Sequence, residues 1–339
     1  MDKIIVPMSY MGSGSSAVTD LLKEYGGINT KNSDFEYVFL YAPDGLFDLE
    51  YKLLYNNNAI RSDEAIKNFR KLMEKLYHYD GWGIANYKDK ISHNFMNVVE
   101  SYLDSIITSK YQGIWYYHQK PSKIAWFLRV IRRIIFKKTT KPKQVQLEMS
   151  MVSSDDFYEE SRKFILNVIK EISDKEEYIV LDQLLLPHNL NIIDNYKIEE
   201  LFPIIISRDP RDVFIMNKYF WKPRNQEVPY PTDVKEFCNY YKMMRENEKK
   251  TNTLALRLNF EDLVLNYEET KQDIENFIGI DSVHHKAKFE YFNPAISVNN
   301  LQVYNRDDKY REEVEMIELE LSEYLYNFKK RIVSTGDVF

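Results

Sequence analysis

Apolar positions follow two rhythms along this chain. Continuous apolar runs at 3–9, from Tyr178 to Leu186, from Pro203 to Ile206 and at 253–258 have the length and composition of buried strands. Elsewhere the apolar residues recur every three to four positions. Val18, Leu21 and Leu22 mark a helix over 14–25 that Gly26-Gly27 ends, and Ile66, Phe69, Leu72, Met73 and Leu76 mark another over 63–77. The same period runs through 93–107, through 155–172, from Val213 to the stop at Trp221-Lys222-Pro223, and through 232–250, 267–278 and 310–328. Strands alternating with helices predict an α/β fold, with a central, mainly parallel sheet and helices on its faces. The stretch from about 50 to 175 carries helical patterns and no strand in this reading, so it forms a helical insertion. No repeat or low-complexity linker divides the 339 residues, and a single domain spanning 1–339 is expected.

Two strand ends carry chemistry. The first strand runs into Gly12-Ser13-Gly14-Ser15-Ser16 and then a helix. Two glycines let successive N–H groups converge, and the helix dipole behind them favours an anion such as phosphate. No lysine follows Gly14, so a Walker-type ATP or GTP loop is poorly supported, and an ordinary strand-to-helix turn would look similar. Far downstream, Pro203-Ile204-Ile205-Ile206-Ser207-Arg208-Asp209-Pro210-Arg211-Asp212-Val213 is an apolar strand that ends in two arginines and reopens as a helix. Asp209 suits the cap and Pro210 the first turn, which puts Arg208 at the carboxyl end of a strand, where open α/β sheets bind ligands.

On these segments the chain resembles the PAPS-dependent sulfotransferases, as a bacterial-type member with their P-loop NTPase-like fold. Gly12 to Ser16 resembles the family's 5′-phosphosulfate loop, and Arg208 to Val213 its 3′-phosphate motif. Leu256-Arg257-Leu258-Asn259-Phe260-Glu261-Asp262-Leu263-Val264 is similar to the strand and helix that commonly follow, and Asn293 to Leu301 resembles a C-terminal nucleotide-binding loop. The resemblance covers residues 3 to about 305 around a divergent middle. It implies PAPS as co-substrate, 3′-phosphoadenosine 5′-phosphate as product and no metal. Donor binding then falls to Gly12, Ser13, Gly14, Ser15, Ser16, Arg208, Arg211, Asn217, Ser297 and Asn300.

The chain also departs from the family pattern. Gly12 stands where many members have Lys or Arg, and Met216 where a serine usually meets the 3′-phosphate, with Asn217 beside it; Lys218 or a lysine of the basic segment would have to replace the missing cation. Leu181-Asp182-Gln183 occupies the place of the Lys-Thr-His of the animal cytosolic branch, so that branch's histidine base is missing. In some other branches a glutamate placed like Glu36 is the base. The candidate proton acceptors are therefore Glu36, then Asp182, then His188. A carboxylate within so apolar a run rarely stays buried alone, so Asp182 is expected at the sheet's edge beside a basic or polar group.

Composition narrows the picture. Forty-six basic against 52 acidic residues give a formal charge of −6, so no global field recruits nucleic acid. One cysteine, Cys238, excludes an intramolecular disulfide, and the six histidines lack metal-ligand spacing; His284-His285 is expected to be an exposed pair. No apolar leader and no run of 18 apolar residues occurs, which predicts a cytoplasmic protein. Within 113–147, however, lie nine Lys or Arg and no acid. Ile124, Phe127, Leu128, Ile131, Ile134 and Ile135 keep helical spacing there, with Arg129, Arg132, Arg133 and Lys137 largely off the stripe. Such a basic amphipathic helix suits peripheral contact of residues 120–143 with an anionic inner membrane surface or an acidic acceptor, and equally a packed helix with a solvated basic face.

The expected activity is transfer of the sulfonate of PAPS to a hydroxyl of a glycan or of an amphiphilic lipid or sterol. Two other classes share these signals: a P-loop-type nucleotide phosphotransferase, and a noncatalytic nucleotide-binding protein.

Overall fold

The computed structural model describes residues 3–31, 35–78, 85–114, 123–136, 144–173, 175–226, 228–332 and 336, with the backbone alone at 125, 129 and 136. Its centre is a five-stranded parallel sheet. Among the described residues the seven strands, in chain order, are β1 (Lys3–Ser9), β2 (Ile28–Asn29), β3 (Ser109–Gly113), β4 (Val145–Met149), β5 (Tyr178–Val180), β6 (Leu201–Ser207) and β7 (Leu256–Asn259). The central sheet has the order β2-β5-β1-β6-β7, and β3 with β4 forms a separate antiparallel pair.

Side-chain alternation divides the core between the two faces of the sheet. Ile4, Val6 and Met8 of β1, Ile179 of β5 and Ile205 of β6 point to the face covered by the helices Ala59–His78, Phe95–Ile106 and Ser154–Ile172, where Phe69, Phe95, Val99, Phe157 and Phe164 complete the core. Ile5, Val180, Ile204 and Ile206 point the other way, onto Val18, Leu21 and Leu22 of the Ser15–Lys23 helix and Ile274 and Ile278 of the Tyr267–Ile278 helix. This is the expected α/β class with flanking helices and a helical insertion. A third cluster joins the Pro210–Ile215, Val234–Glu246 and Arg311–Glu320 helices through Phe214, Phe237, Tyr241 and Ile317.

The structure corrects the sequence reading in several places. The run from Tyr178 is strand only to Val180, because Gln183 turns the backbone into the left-handed region at φ 53°. The last helix stops at Glu320, and the chain beyond it is tied elsewhere: the Tyr326 N–H donates to Asp209 at 3.1 Å and its hydroxyl to Asp262 at 2.6 Å. β3 and β4 were not expected. His285 is not exposed, since its ring contacts a Glu24 carboxylate oxygen at 2.7 Å and stacks on Tyr25 at 4.7 Å.

Candidate active site

The segments that open at the carboxyl ends of β1, β6 and β7 meet at one place. After Ser9 the chain turns tightly, with the Ser13 N–H donating to the Tyr10 carbonyl at 3.0 Å. Gly14 then caps the Ser15–Lys23 helix in a left-handed conformation, φ 97°. A glycine cap has no side chain to accept first-turn N–H bonds, which leaves the positive end of the helix for an anion. Glycine is needed here for space as well: a Cβ on Gly14 would stand 2.8 Å from the Phe260 ring, and one on Gly12, itself at φ 78°, would stand 2.4 Å from the Trp221 indole. Trp221 ends a π-type turn, Met216–Trp221, and Tyr230 donates its hydroxyl to the Met11 carbonyl at 2.9 Å. Together they hold the loop from outside.

Arg208 ties this loop to the rest of the site. Its guanidinium donates to the Asn300 carbonyl at 2.6 Å and to the Gly12 carbonyl at 3.4 Å, and stands 5.1 Å over the Phe260 ring. It is 7% exposed, and its Nε is buried without a hydrogen-bond partner. One residue thus brings together the Gly-Ser loop, the strand β7 segment through Phe260, and the Asn293 to Leu301 loop.

Two acids stand close enough to Arg208 for its charge to favour their ionised forms. Asp212 accepts the Gln302 and Tyr304 N–H groups and fixes the loop that carries Asn300; burial, opposed by Arg208 and reinforced by Asp209, pushes its carboxyl up to about 7. Glu261 accepts the Asp209 N–H at 2.9 Å, and burial pushes it up to about 8.

The other residues of the 3′-phosphate motif are engaged elsewhere. Arg211 is paired with Asp209 at 2.6 Å and Glu318 at 2.7 Å and lies over Tyr304 at 4.2 Å, an arrangement that locks its helix to the C-terminal helix. Asn217 is fully buried and bonds the Tyr230 backbone at both its amide atoms. Met216 is buried in the third cluster, and Lys218 is ion-paired with Glu313. Ser297 is buried within the loop that Arg208 anchors, and Ser16 is exposed at the helix start.

The acid candidates lie beside the Gly-Ser loop. Asp182 follows the carboxyl end of β5, between β2 and β1, so it is interior to the sheet order. It is 7% exposed and its Oδ1 has no hydrogen-bond partner. A basic or polar neighbour was expected, and the charges that act most on it are acidic: burial first, then Glu36 and Asp20, push its carboxyl up to about 8, opposed by the Gln183 N–H and then by Lys23. Glu36 is exposed above it, and the Tyr37 N–H donates to the Asp182 carbonyl at 3.1 Å. Gln183, which the sequence reading passed over, links the acid to the loop. Its amide donates to Ser15 Oγ at 2.9 Å and Ser9 Oγ at 3.3 Å. A second polar residue in an apolar run was its signal. His188 is half-buried in the next turn, where burial lowers its pKa and Glu248 opposes that, which keeps the imidazole neutral at neutral pH.

No protein-family model matches the chain, and no curated protein matches it. Among solved structures it is similar to the sulfotransferase domain from the curacin biosynthetic pathway. Identity is 10%, 94% of this chain and 97% of that chain are covered, and the TM-score is 0.39. A likeness this distant carries no argument, so the functional reading rests on the site itself.

Proposed function

We propose that the chain binds PAPS and moves its sulfonate to a hydroxyl of a glycan or an amphiphilic lipid or sterol. The observation that carries this reading is the convergence on Arg208. A guanidinium has five N–H donors, and here one nitrogen is buried and unpartnered beside a helix start that no side chain caps. Such a pair suits two separate anionic groups of one ligand, with Arg208 on a 3′-phosphate and the Gly12 to Ser16 backbone on a 5′-phosphosulfate. PAPS supplies the sulfonate, which passes from its phosphate oxygen to the acceptor's hydroxyl oxygen. The chain's own part is positioning and charge placement. Loop N–H groups stabilise the leaving phosphate, since no lysine or arginine stands in the loop. Asp182 in its carboxylate form, or Glu36 above it, takes the hydroxyl proton, a contribution worth ~10²–10⁴ in rate. Gln183 fixes the loop relative to that acid.

The test is an acceptor screen with labelled PAPS across glycans, sterols, phenols and lipids. Transfer of label to any hydroxyl supports the reading. Binding of ATP in preference to 3′-phosphoadenosine 5′-phosphate, with no label transferred, overturns it in favour of a phosphotransferase.

A further inference from the structure

The helix Lys123–Phe136 differs from the other long helices of the chain. Ser154–Ile172 buries seven residues, whereas none of the described side chains of Lys123–Phe136 is buried. Ile124, Trp126, Phe127, Leu128, Ile134 and Ile135 are each between 54% and 74% exposed. Lys123, Arg132 and Arg133 are exposed among them. A packed helix with only its basic face in water is therefore not what forms here. So large an apolar surface on one element signals a partner.

We propose that this helix docks the protein on an anionic lipid surface. Charge selects the occupant. The nine basic residues of 113–147 are unopposed by any acid in that segment, while the whole chain is at −6, so the remainder is net acidic and this segment is the part with a local charge that favours an anionic layer. A second copy would bring two such basic helices together and repel. The apolar side chains, with Trp126 and Phe127 among them, suit burial at the boundary between headgroups and acyl chains. Fourteen residues span about 21 Å against a hydrocarbon core of ~30 Å, so the helix lies on the layer and does not cross it. Among the described residues no helix is long and apolar enough to cross a membrane. Gly113 and Val145, on either side of the helix, are register partners in the β3–β4 pair, so the chain leaves and re-enters this pair side by side. The proposal does not depend on the sulfonate-transfer reading.

Co-sedimentation of the full chain with vesicles tests it. Phosphatidylcholine vesicles with added phosphatidylglycerol are expected to bind the protein, and pure phosphatidylcholine vesicles are not. Trp126→Ser with Phe127→Ser should abolish binding. Arg132→Gln with Arg133→Gln should weaken it roughly 25-fold, since each basic residue near the surface accounts for about fivefold, and added salt should weaken the wild type too. Unchanged circular dichroism is expected, because these side chains are exposed, and binding by folded variants is then a fair comparison. The proposal is overturned by no binding to anionic vesicles by the wild type, or by equal binding by wild type and both variants. Self-association removed by the Trp126/Phe127 variant, without vesicle binding, would assign the face to a second copy and also overturn it.

Discussion

Replacing Asp182 by asparagine tests the buried acid at the centre of the site. Asp182 is 7% exposed, has an unpartnered Oδ1 and titrates at about 8, because burial and the charges of Glu36 and Asp20 favour the neutral form. In the unfolded chain the same carboxyl titrates near ~4. Between those values the folded protein holds a proton that the unfolded chain has released, so stability falls as pH rises, by about 1.4 kcal/mol per pH unit. At about pH 7 the penalty has reached on the order of 4 kcal/mol, and it levels off only above the folded value of about 8. Asparagine has the shape of the protonated acid and does not titrate, so Asp182→Asn removes the slope. The variant should gain on the wild type by roughly 3 kcal/mol between about pH 5 and pH 7, measured as the difference in urea unfolding free energies. If Asp182 is the proton acceptor, the same change also removes activity, and wild-type kcat/KM rises with pH through about 8. A stability difference that does not vary with pH would refute the assignment of Asp182 as a buried, protonated carboxyl.

Further outcomes follow from the other contacts. Arg208→Ala should weaken binding of 3′-phosphoadenosine 5′-phosphate by about 1.5–3 kcal/mol while 5′-AMP binding changes little; calorimetric titration of both ligands checks this, and equal losses contradict it. Gly12→Ala places a Cβ 2.4 Å from the Trp221 ring at φ 78°, so the loop must shift; a loss of ~1–3 kcal/mol in stability and a drop in donor affinity are expected from thermal unfolding and titration. Glu36→Gln, at an exposed position, should leave stability within ~0.5 kcal/mol. If Glu36 rather than Asp182 takes the proton, kcat for that variant falls about 10²-fold with donor affinity intact.

Much of the sheet and its helices can be read from periodicity, because buried parallel strands are continuously apolar and amphipathic helices repeat every 3.6 residues. The Tyr267–Ile278 helix, with Gly279 at its end in a left-handed conformation, matches the pattern closely. What periodicity misses depends on contacts between distant residues. The β4 sequence Val145-Gln146-Leu147-Glu148-Met149 alternates as a strand should, but it forms only by pairing with Ser109–Gly113 across the basic segment. Gln183 ends β5 through its own backbone conformation, which an apolar run does not encode. The site divides in the same way. The glycines, Arg208 and Asp182 announce themselves by standing at strand ends, and the structure brings the first two together with Asn300. Arg211 and Asn217 carry the right chemistry in sequence, yet long-range partners, Glu318 and the Tyr230 backbone, engage them. Trp221 reaches the loop from 209 residues away, and only the fold explains why position 12 is glycine.

The proposed function requires one ligand that bridges Arg208 and the Gly12 to Ser16 loop through separate 3′ and 5′ anionic groups. Calorimetric titration of the wild-type chain with 3′-phosphoadenosine 5′-phosphate and, separately, with ATP and magnesium tests it most directly. The bisphosphate should bind at least ~10-fold more tightly than ATP, since a charge-assisted 3′-phosphate contact is worth ~1.5–3 kcal/mol. Tighter binding of magnesium ATP, or no binding of the bisphosphate, would contradict it.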